Sequence, residues 1–287
     1  MDSLPHGRPS RTAERVARRR AAHQILDRPL VFEDPYALRI LGAGAESLPS
    51  DGSSLQDLFS RSLRAFLAVR SRYAEDCLAA AVERGVRQYV ILGAGLDTFA
   101  YRNPHANPGL RVFEVDHPAT QAWKREMASQ AGIPTPPTLT FAPVDFESQE
   151  LGGGLRAAGF RADLPAFFGW LGVVPYLTEE AFLATARFIA STPPAGGVAF
   201  DYTVAESHLS PEERVAFTAL ASRVAKAGEP FKLFFDPAAL ARQLVALGFS
   251  AIEDLEPDEI NARYFEGRAD GLQVRGRAGR LLSAQVK

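Results

Sequence analysis

Two hydrophobic rhythms divide the chain. Residues 12–26 have helix-forming composition, and residues 55–84 carry apolar side chains at helical spacing, at Leu55, Leu58, Phe59, Leu63, Phe66, Leu67, Leu78 and Val82. This predicts an amphipathic lead-in of two helices. Gly85 is a natural stop for the longer one. Asp34-Pro35 opens a short helix, because proline is favoured in a first turn. Residues 1–10 and 48–54 read as loops. From residue 88 the rhythm changes. Short apolar runs at 88–92, 110–115, 138–142, 166–174 and 197–203 read as buried strands, and helical patterns lie at 118–131, 148–159 and 178–191. Such alternation predicts a parallel sheet with helices on both faces. After residue 203 the order breaks. Residues 205–230 read as an inserted helix and loop, 236–247 as a helix stopped by Gly248, and 249–255 and 271–274 as late strands. An insertion behind the fifth strand lies at the edge where open α/β sheets bind ligands. It is expected to be a lid or a substrate wall, the plainer alternative being a purely structural helix.

Composition narrows the classes without choosing among them. The 287 residues are 46% hydrophobic, 23% charged and 10% aromatic, with a net charge of −2. That is ordinary globular usage, large enough for a sizeable core. Apart from the arginines near residues 11–20, no charged block offers a nucleic-acid surface. The single cysteine, Cys77, excludes an internal disulfide framework and a multi-cysteine metal site. No apolar run has membrane-spanning length, and the start lacks a secretory signal pattern, so a cytoplasmic location is expected.

The strongest chemical signal is V-I-L-G-A-G-L-D-T-F-A-Y-R, from Val90 to Arg102. Gly93 and Gly95 follow a strand and permit tight backbone geometry beside a ligand. The second strand ends in F-E-V-D, which places Asp116 where an acid meets ribose hydroxyls. A cap for the helix at Pro118 is the other use for Asp116. A dinucleotide fingerprint asks for a third glycine at position 98, where this chain has Thr98. Asp97 would stand against a pyrophosphate and suits a cationic aminoacyl arm better, although an acid in a first helical turn is also favoured by the dipole.

At these residues the chain resembles the leucine carboxyl methyltransferase family, and within it the bacterial class I methyltransferases that use S-adenosyl-L-methionine. The resemblance rests on L-G-A-G-L-D-T-x-x-Y-R, on F-E-V-D-H-P with Lys124 downstream, and on V-D-F at 144–146. It extends to T-A-E-R-V-A-R-R-R-A at 12–21, D-P-Y-A at 34–37, V-R-S-R-Y at 69–73 and W-L-G-V-V-P-Y-L-T at 170–178. It implies an α/β fold, a Rossmann-like seven-stranded sheet of order 3-2-1-4-5-7-6. A helical cap at 1–85 precedes a cofactor-binding core at 86–287, which carries a lid insertion at about 205–235. Carried over by position, Arg70 would bind the cofactor carboxylate, with Arg72 as the alternative. Gly93, Gly95 and Asp97 would border the aminoacyl arm, Asp116 the ribose, and Asp145 with Phe146 the adenine. Arg20 matches a recurrent arginine of the N-terminal motif. One departure stands out: relatives commonly carry a glutamate where this chain has Leu171, so Asp97 or carbonyls near Gly93 are expected to serve the cofactor amine.

The expected reaction is O-methyl transfer to a hydroxyl or carboxylate of a small, hydrophobic acceptor, such as a secondary metabolite. A carboxylate is ionised at neutral pH and requires no base, whereas a phenol gains from one. Tyr176 and His208 are the candidate catalytic side chains. His6, His23, His105 and His117 complete the histidines, and none forms a hydrolase or metal-ligand pattern. Phe217, Leu220, Phe231, Leu233, Phe234 and Phe235, with Phe167, Phe168 and Trp170, could wall an apolar acceptor pocket or simply pack a core. Three competing readings remain. They are carboxyl methylation of a protein C-terminus, a binding protein that has lost catalysis, and a nicotinamide-dependent oxidoreductase, the last disfavoured by Asp97 and Thr98.

Overall fold

In the computed structural model, residues 11–42, 55–107, 109–145, 149–226 and 230–287 are described. The loop expected at 48–54 and residues 1–10 lie outside them. The strand β1 (Gln88–Leu92) is buried at all of its five positions. It pairs in parallel with β2 (Arg111–Asp116) on one side and β4 (Phe167–Trp170) on the other. β3 (Leu139–Pro143) extends the sheet beyond β2, and β5 (Gly197–Thr203) extends it beyond β4. The chain therefore leaves β1 in one direction and returns on its other side, which opens a crevice at the carboxyl ends of β1 and β4.

The full order is β3-β2-β1-β4-β5-β7-β6, as the family resemblance implied. The sheet is nevertheless mixed. β7 (Gly279–Val286) lies between β5 and β6 (Phe249–Leu255) and runs antiparallel to both. The run 271–274, expected to be a strand, is irregular. Leu272 and Val274 are buried there, which explains the apolar signal. The Asn261 amide serves the backbone of Val274 instead, accepting from its N–H at 2.9 Å and donating to its carbonyl at 2.8 Å.

Strand alternation splits the core in two. Tyr89, Ile91, Val112, Phe167, Ala199 and Leu281 face helices α1 (Arg11–Leu26) and α2 (Leu55–Glu83). Val90, Leu92, Phe113, Phe168, Trp170 and Phe200 face the opposite layer. That layer contains α5 (Leu151–Ala157), α6 (Glu179–Ala190) and α8 (Pro237–Leu247). Helix α4 (Pro118–Gln130) packs on the first face, and α3 (Phe99–Arg102) is a single turn after β1. Inside the insertion, a short 3₁₀ turn (Glu206–His208) precedes α7 (Pro211–Ala225).

Other expectations change in detail. β4 stops at Trp170, because Gly172 turns to φ +68° and a 3₁₀ turn (Val174–Tyr176) follows. The short helix expected from Asp34-Pro35 forms as turns at 35–38 that lead into a 3₁₀ segment at 39–42. Helix α9 (Pro257–Tyr264) was not anticipated, although Glu256 and Glu259 form a capping box and Pro257 occupies the first turn.

The N-terminal helices are joined by a buried carboxylate. Asp27 accepts from Arg64 Nε and Nη2, both at 2.8 Å, and lies 2.7 Å from His23 Nδ1. Val31 and Phe32 donate their backbone N–H to His23 Nε2 at 3.2 and 3.3 Å. That acceptor role leaves the ring proton on Nδ1, facing Asp27. Burial alone would raise the Asp27 pKa, but the bonds from Arg64 and His23 bring it from 3.8 down to about 2.

A depressed carboxylate stabilises the fold above its unfolded pKa, and that stabilisation fades as the pH falls through the folded value. Thermal melts of the protein should therefore lose stability between about pH 4 and 2, with a shallower slope in Asp27→Asn. At neutral pH, Asp27→Ala should cost about 3–5 kcal/mol, because Arg64 is left buried without its counter-charge. A melting temperature unchanged in both variants would contradict this.

Candidate functional site

The site begins where β1 ends. Gly93 and Gly95 take φ values of +66° and +47°, a region that favours glycine. The N–H groups of Gly93 and Ala94 both donate to the Val115 carbonyl, at 2.8 and 3.1 Å, and tie the turn to β2. A Cβ at Gly93 would stand 2.3 Å from Val173 Cγ2, so a side chain there would have to displace Val173.

Asp116 closes the turn from the β2 side. Gly95 N–H donates to its Oδ2 at 2.6 Å, and His117 N–H donates to its Oδ1 at 2.7 Å. Burial raises the Asp116 pKa, opposed by these two bonds and by the charge of Lys124. The alternative use of Asp116 as a helix cap is not what forms. His117 caps α4, its Nδ1 accepting from Ala119 N–H at 3.2 Å. Each Asp116 oxygen retains a lone pair that can accept from a vicinal diol.

Beneath Asp116, on the same strand face, lies a pair that sequence reading did not single out as such. Glu114 is fully buried, and Lys124 Nζ donates to its Oε2 at 2.6 Å. Burial pushes the Glu114 carboxyl up to about 7 against the pull of Lys124. A glutamate inside an otherwise apolar strand is itself the sequence signal for such a pair.

The remaining sequence candidates fall into three groups. The first converges on the crevice. Arg70, from α2, is buried and places Nη1 3.1 Å from Asp201 Oδ2, while Gly172 N–H donates to Asp201 Oδ1 at 2.5 Å. Asp145 follows β3, partly buried, its N–H donating to Gln149 Oε1 at 3.0 Å. Phe146 lies outside the described residues.

The second group supports the turn through its backbone. Arg20 is buried, donates Nη2 to the Leu96 carbonyl at 2.5 Å, and has Nε 2.7 Å from Asp34 Oδ2. That same oxygen accepts from the Thr98 hydroxyl at 2.7 Å. Arg20 thus braces the turn through the Leu96 carbonyl. Asp97, just before the α3 cap Thr98, accepts from Phe99 N–H at 2.7 Å in a local side-chain-to-backbone turn. No partner of the other Asp97 oxygen appears among the described hydrogen bonds.

The third group lies elsewhere. Arg72 is two residues beyond Arg70, about 200° around the helix. Its side chain is 52% exposed and pairs with Asp76 at 2.7 Å. His208 is also exposed; its Nε2 is 2.9 Å from Asp236 Oδ2, and Asp236 caps α8 through Ala239 N–H. His6 lies outside the described residues.

Tyr176 sits in the 3₁₀ turn rather than at the end of a strand. Its ring centroid is 5.3 Å from that of Phe231, which stacks on Phe217 at 6.0 Å and 12°. The N–H groups of Lys232 and Leu233 donate to the Pro175 carbonyl at 2.7 and 3.2 Å. The insertion returns to the sheet at Phe235, which bonds to Thr203 and Ala205. Phe168 and Trp170 belong to the same buried cluster as Phe217 and Phe235, Trp170 reaching Phe235 through Phe182, whereas Phe167 lies in the other layer. All three are buried, with Trp170 stacked on Phe182 at 5.3 Å.

A nucleoside with a zwitterionic arm fits what is present. Asp116 keeps acceptor positions open at the end of β2, and Arg70 has Nη2 without an acceptor among the described residues. No group of residues suited to hold a metal ion occurs among the described residues, and no described helix is long and apolar enough to cross a membrane.

Comparison with known proteins agrees. A protein of Bacillus subtilis (strain 168) named "Putative S-adenosyl-L-methionine-dependent methyltransferase YktD" is 32% identical over 277 residues, covering 89% of this chain and 91% of its own. A DUF574 family protein of Streptomyces avermitilis MA-4680 shares the fold with a TM-score of 0.58 at 16% identity, covering 94% of this chain and 97% of its own. A structure described as a "putative methyltransferase" from Thermobifida fusca YX gives 0.57 at 16% identity, covering 99% and 97%. Sheet order, glycine turn and relatives together define a class I S-adenosyl-L-methionine-dependent methyltransferase. A model of the leucine carboxyl methyltransferase family matches residues 13–190, and the chain belongs to that family.

The close approach at Gly93 is directly testable. Gly93→Ala should destabilise the protein by about 1–3 kcal/mol through strain and overpacking. Adding Val173→Ala should recover the overpacking share only. Denaturant unfolding measures both, and equal stability of Gly93→Ala and the parent would refute the packing account.

Proposed function

We propose that the protein transfers a methyl group to a hydroxyl or carboxylate of a small, apolar acceptor. The reading is carried by one observation. The insertion brings Phe231 and Phe217 against Tyr176, just beyond the carboxyl end of β4, and backbone bonds to Pro175 hold it there. In this reading residues 205–235 act as the lid, and the aromatic faces wall the acceptor. Aromatic faces also suit a neighbouring sulfonium.

When bound, S-adenosylmethionine supplies an activated methyl group. The chain supplies position and dryness. Asp116 holds the ribose hydroxyls, Arg70 the arm carboxylate, Gly93 and Gly95 the close backbone, and Asp145 with Phe146 the adenine. Arg20 and Asp97 act indirectly by fixing the turn. Fixing two reactants in line can contribute roughly 7–11 kcal/mol to the barrier reduction. His208, in the same insertion, is held by Asp236 at 2.9 Å. Tyr176, whose ring meets Phe231 in the proposed acceptor wall, orients the acceptor oxygen by a hydrogen bond.

The test is transfer of labelled methyl to panels of aromatic carboxylates and phenols, followed by mild base. Transfer to small apolar acceptors is expected, base-labile for esters and base-stable for ethers, with Phe231→Ala raising KM about tenfold or more. Transfer only to a protein C-terminus, or no transfer to any acceptor, would overturn the proposal.

A further inference from the structure

We propose that Asp201 and Arg70 form a paired-charge clamp for the aminoacyl end of the cofactor, Asp201 accepting from its ammonium and Arg70 donating to its carboxylate. The inference rests on reading this edge of the sheet as the cofactor site. Asp201 interrupts an otherwise apolar, fully buried strand, with Phe200 and Tyr202 on either side. It is 5% exposed. A carboxylate so placed is costly unless its charge is matched.

Its partners give the arrangement a direction. Gly172 N–H occupies one oxygen at 2.5 Å, and Arg70 Nη1 approaches the other at 3.1 Å. A carboxylate has about four acceptor positions, so each oxygen keeps one. Arg70 presents a five-donor fork, of which one donor is taken by Asp201. A Cβ at Gly172 would fall 2.7 Å from Arg70 Nη2 and 2.9 Å from Nη1. The guanidinium therefore lies directly against the bare backbone after β4, next to Val173, which touches Gly93. An acid and a base side by side match a zwitterion by two charge-assisted bonds, which neither could offer alone.

The register explains why this carboxylate comes from β5. Trp170 pairs with Phe200, so the next positions, Leu171 and Asp201, lie side by side on one face of the sheet. Leu171 packs against the apolar core. The negative charge at this level of the sheet is thus carried by the neighbouring strand. Of the other nearby acids, Asp97 accepts from Phe99 N–H in the turn after β1, and Asp116 accepts from the turn on the far side of β1.

Calorimetric titration with S-adenosylhomocysteine and 5′-methylthioadenosine tests the clamp, since the second ligand lacks the aminoacyl arm. Asp201→Asn should weaken S-adenosylhomocysteine by about tenfold or more and 5′-methylthioadenosine by less than about twofold. Equal losses for both ligands would reveal a merely structural role, and no loss for either would also overturn the proposal. A measurement on the unaltered protein stands beside it: the analogue of S-adenosylhomocysteine without its amino group should bind at least about tenfold more weakly than the parent. Equal binding would overturn the ammonium contact even if Asp201→Asn does not fold. Failure of the unaltered protein to bind S-adenosylhomocysteine would remove the cofactor reading and the clamp together, whereas normal binding with an unchanged ligand ratio would remove the clamp alone.

Discussion

A single buried carboxylate, Asp34, joins the N-terminal helices to the turn on which the site is built. Its Oδ2 meets Arg20 Nε and the Thr98 hydroxyl, each at 2.7 Å, and its Oδ1 accepts from Tyr36 N–H at 3.0 Å. Arg20 passes the restraint onward by donating to the Leu96 carbonyl. Arg102 adds a second link, pairing with Glu75 of α2. A turn with two residues at positive φ has many alternatives when free. Bonds from outside the sheet select one of them. The arginines near the start of the chain, which look like solvated helix charge in the sequence, are in part buried struts.

The charged groups beside the crevice share one face of the sheet. Glu114, Asp116, Leu171 and Asp201 lie on the side covered by α1, α2 and α4, while the opposite side is packed with phenylalanine and tryptophan. Lys124 beneath and Arg70 above place positive charge on either side of the crevice. Neither could be buried alone, and each has a carboxylate within hydrogen-bond distance. The apolar layer, by contrast, gives the strands a rigid backing and leaves the carboxyl edge free to vary.

Much of this was legible in the chain. β1 and β5 match the expected runs at every residue, because strands buried on both faces read as continuous apolar segments. The tight turn at Gly93 and Gly95 was expected from spacing and context, and Asp116 meets it at the end of β2. What failed was local or long-range. The run at 271–274 mimicked a strand because a side-chain amide, not a strand, satisfies Val274. β7 was missed because its half-buried pattern, with Arg280 and Gln285 between apolar residues, resembles a polar tail. Arg70 and Arg72 could not be separated by position, since only the rotation of α2 decides which one is buried. Asp201 carried a signal that went unread: a lone acid within a buried strand has to be matched by something.

The measurement that bears most directly on this account is titration of the purified protein with S-adenosylhomocysteine and with NADH, repeated on Asp116→Ala. The account predicts about micromolar affinity for the first ligand and none for NADH. It further predicts a loss of about a hundredfold or more in Asp116→Ala, whose melting curve stays cooperative. Binding of NADH in place of S-adenosylhomocysteine, or undiminished affinity in Asp116→Ala, would contradict it.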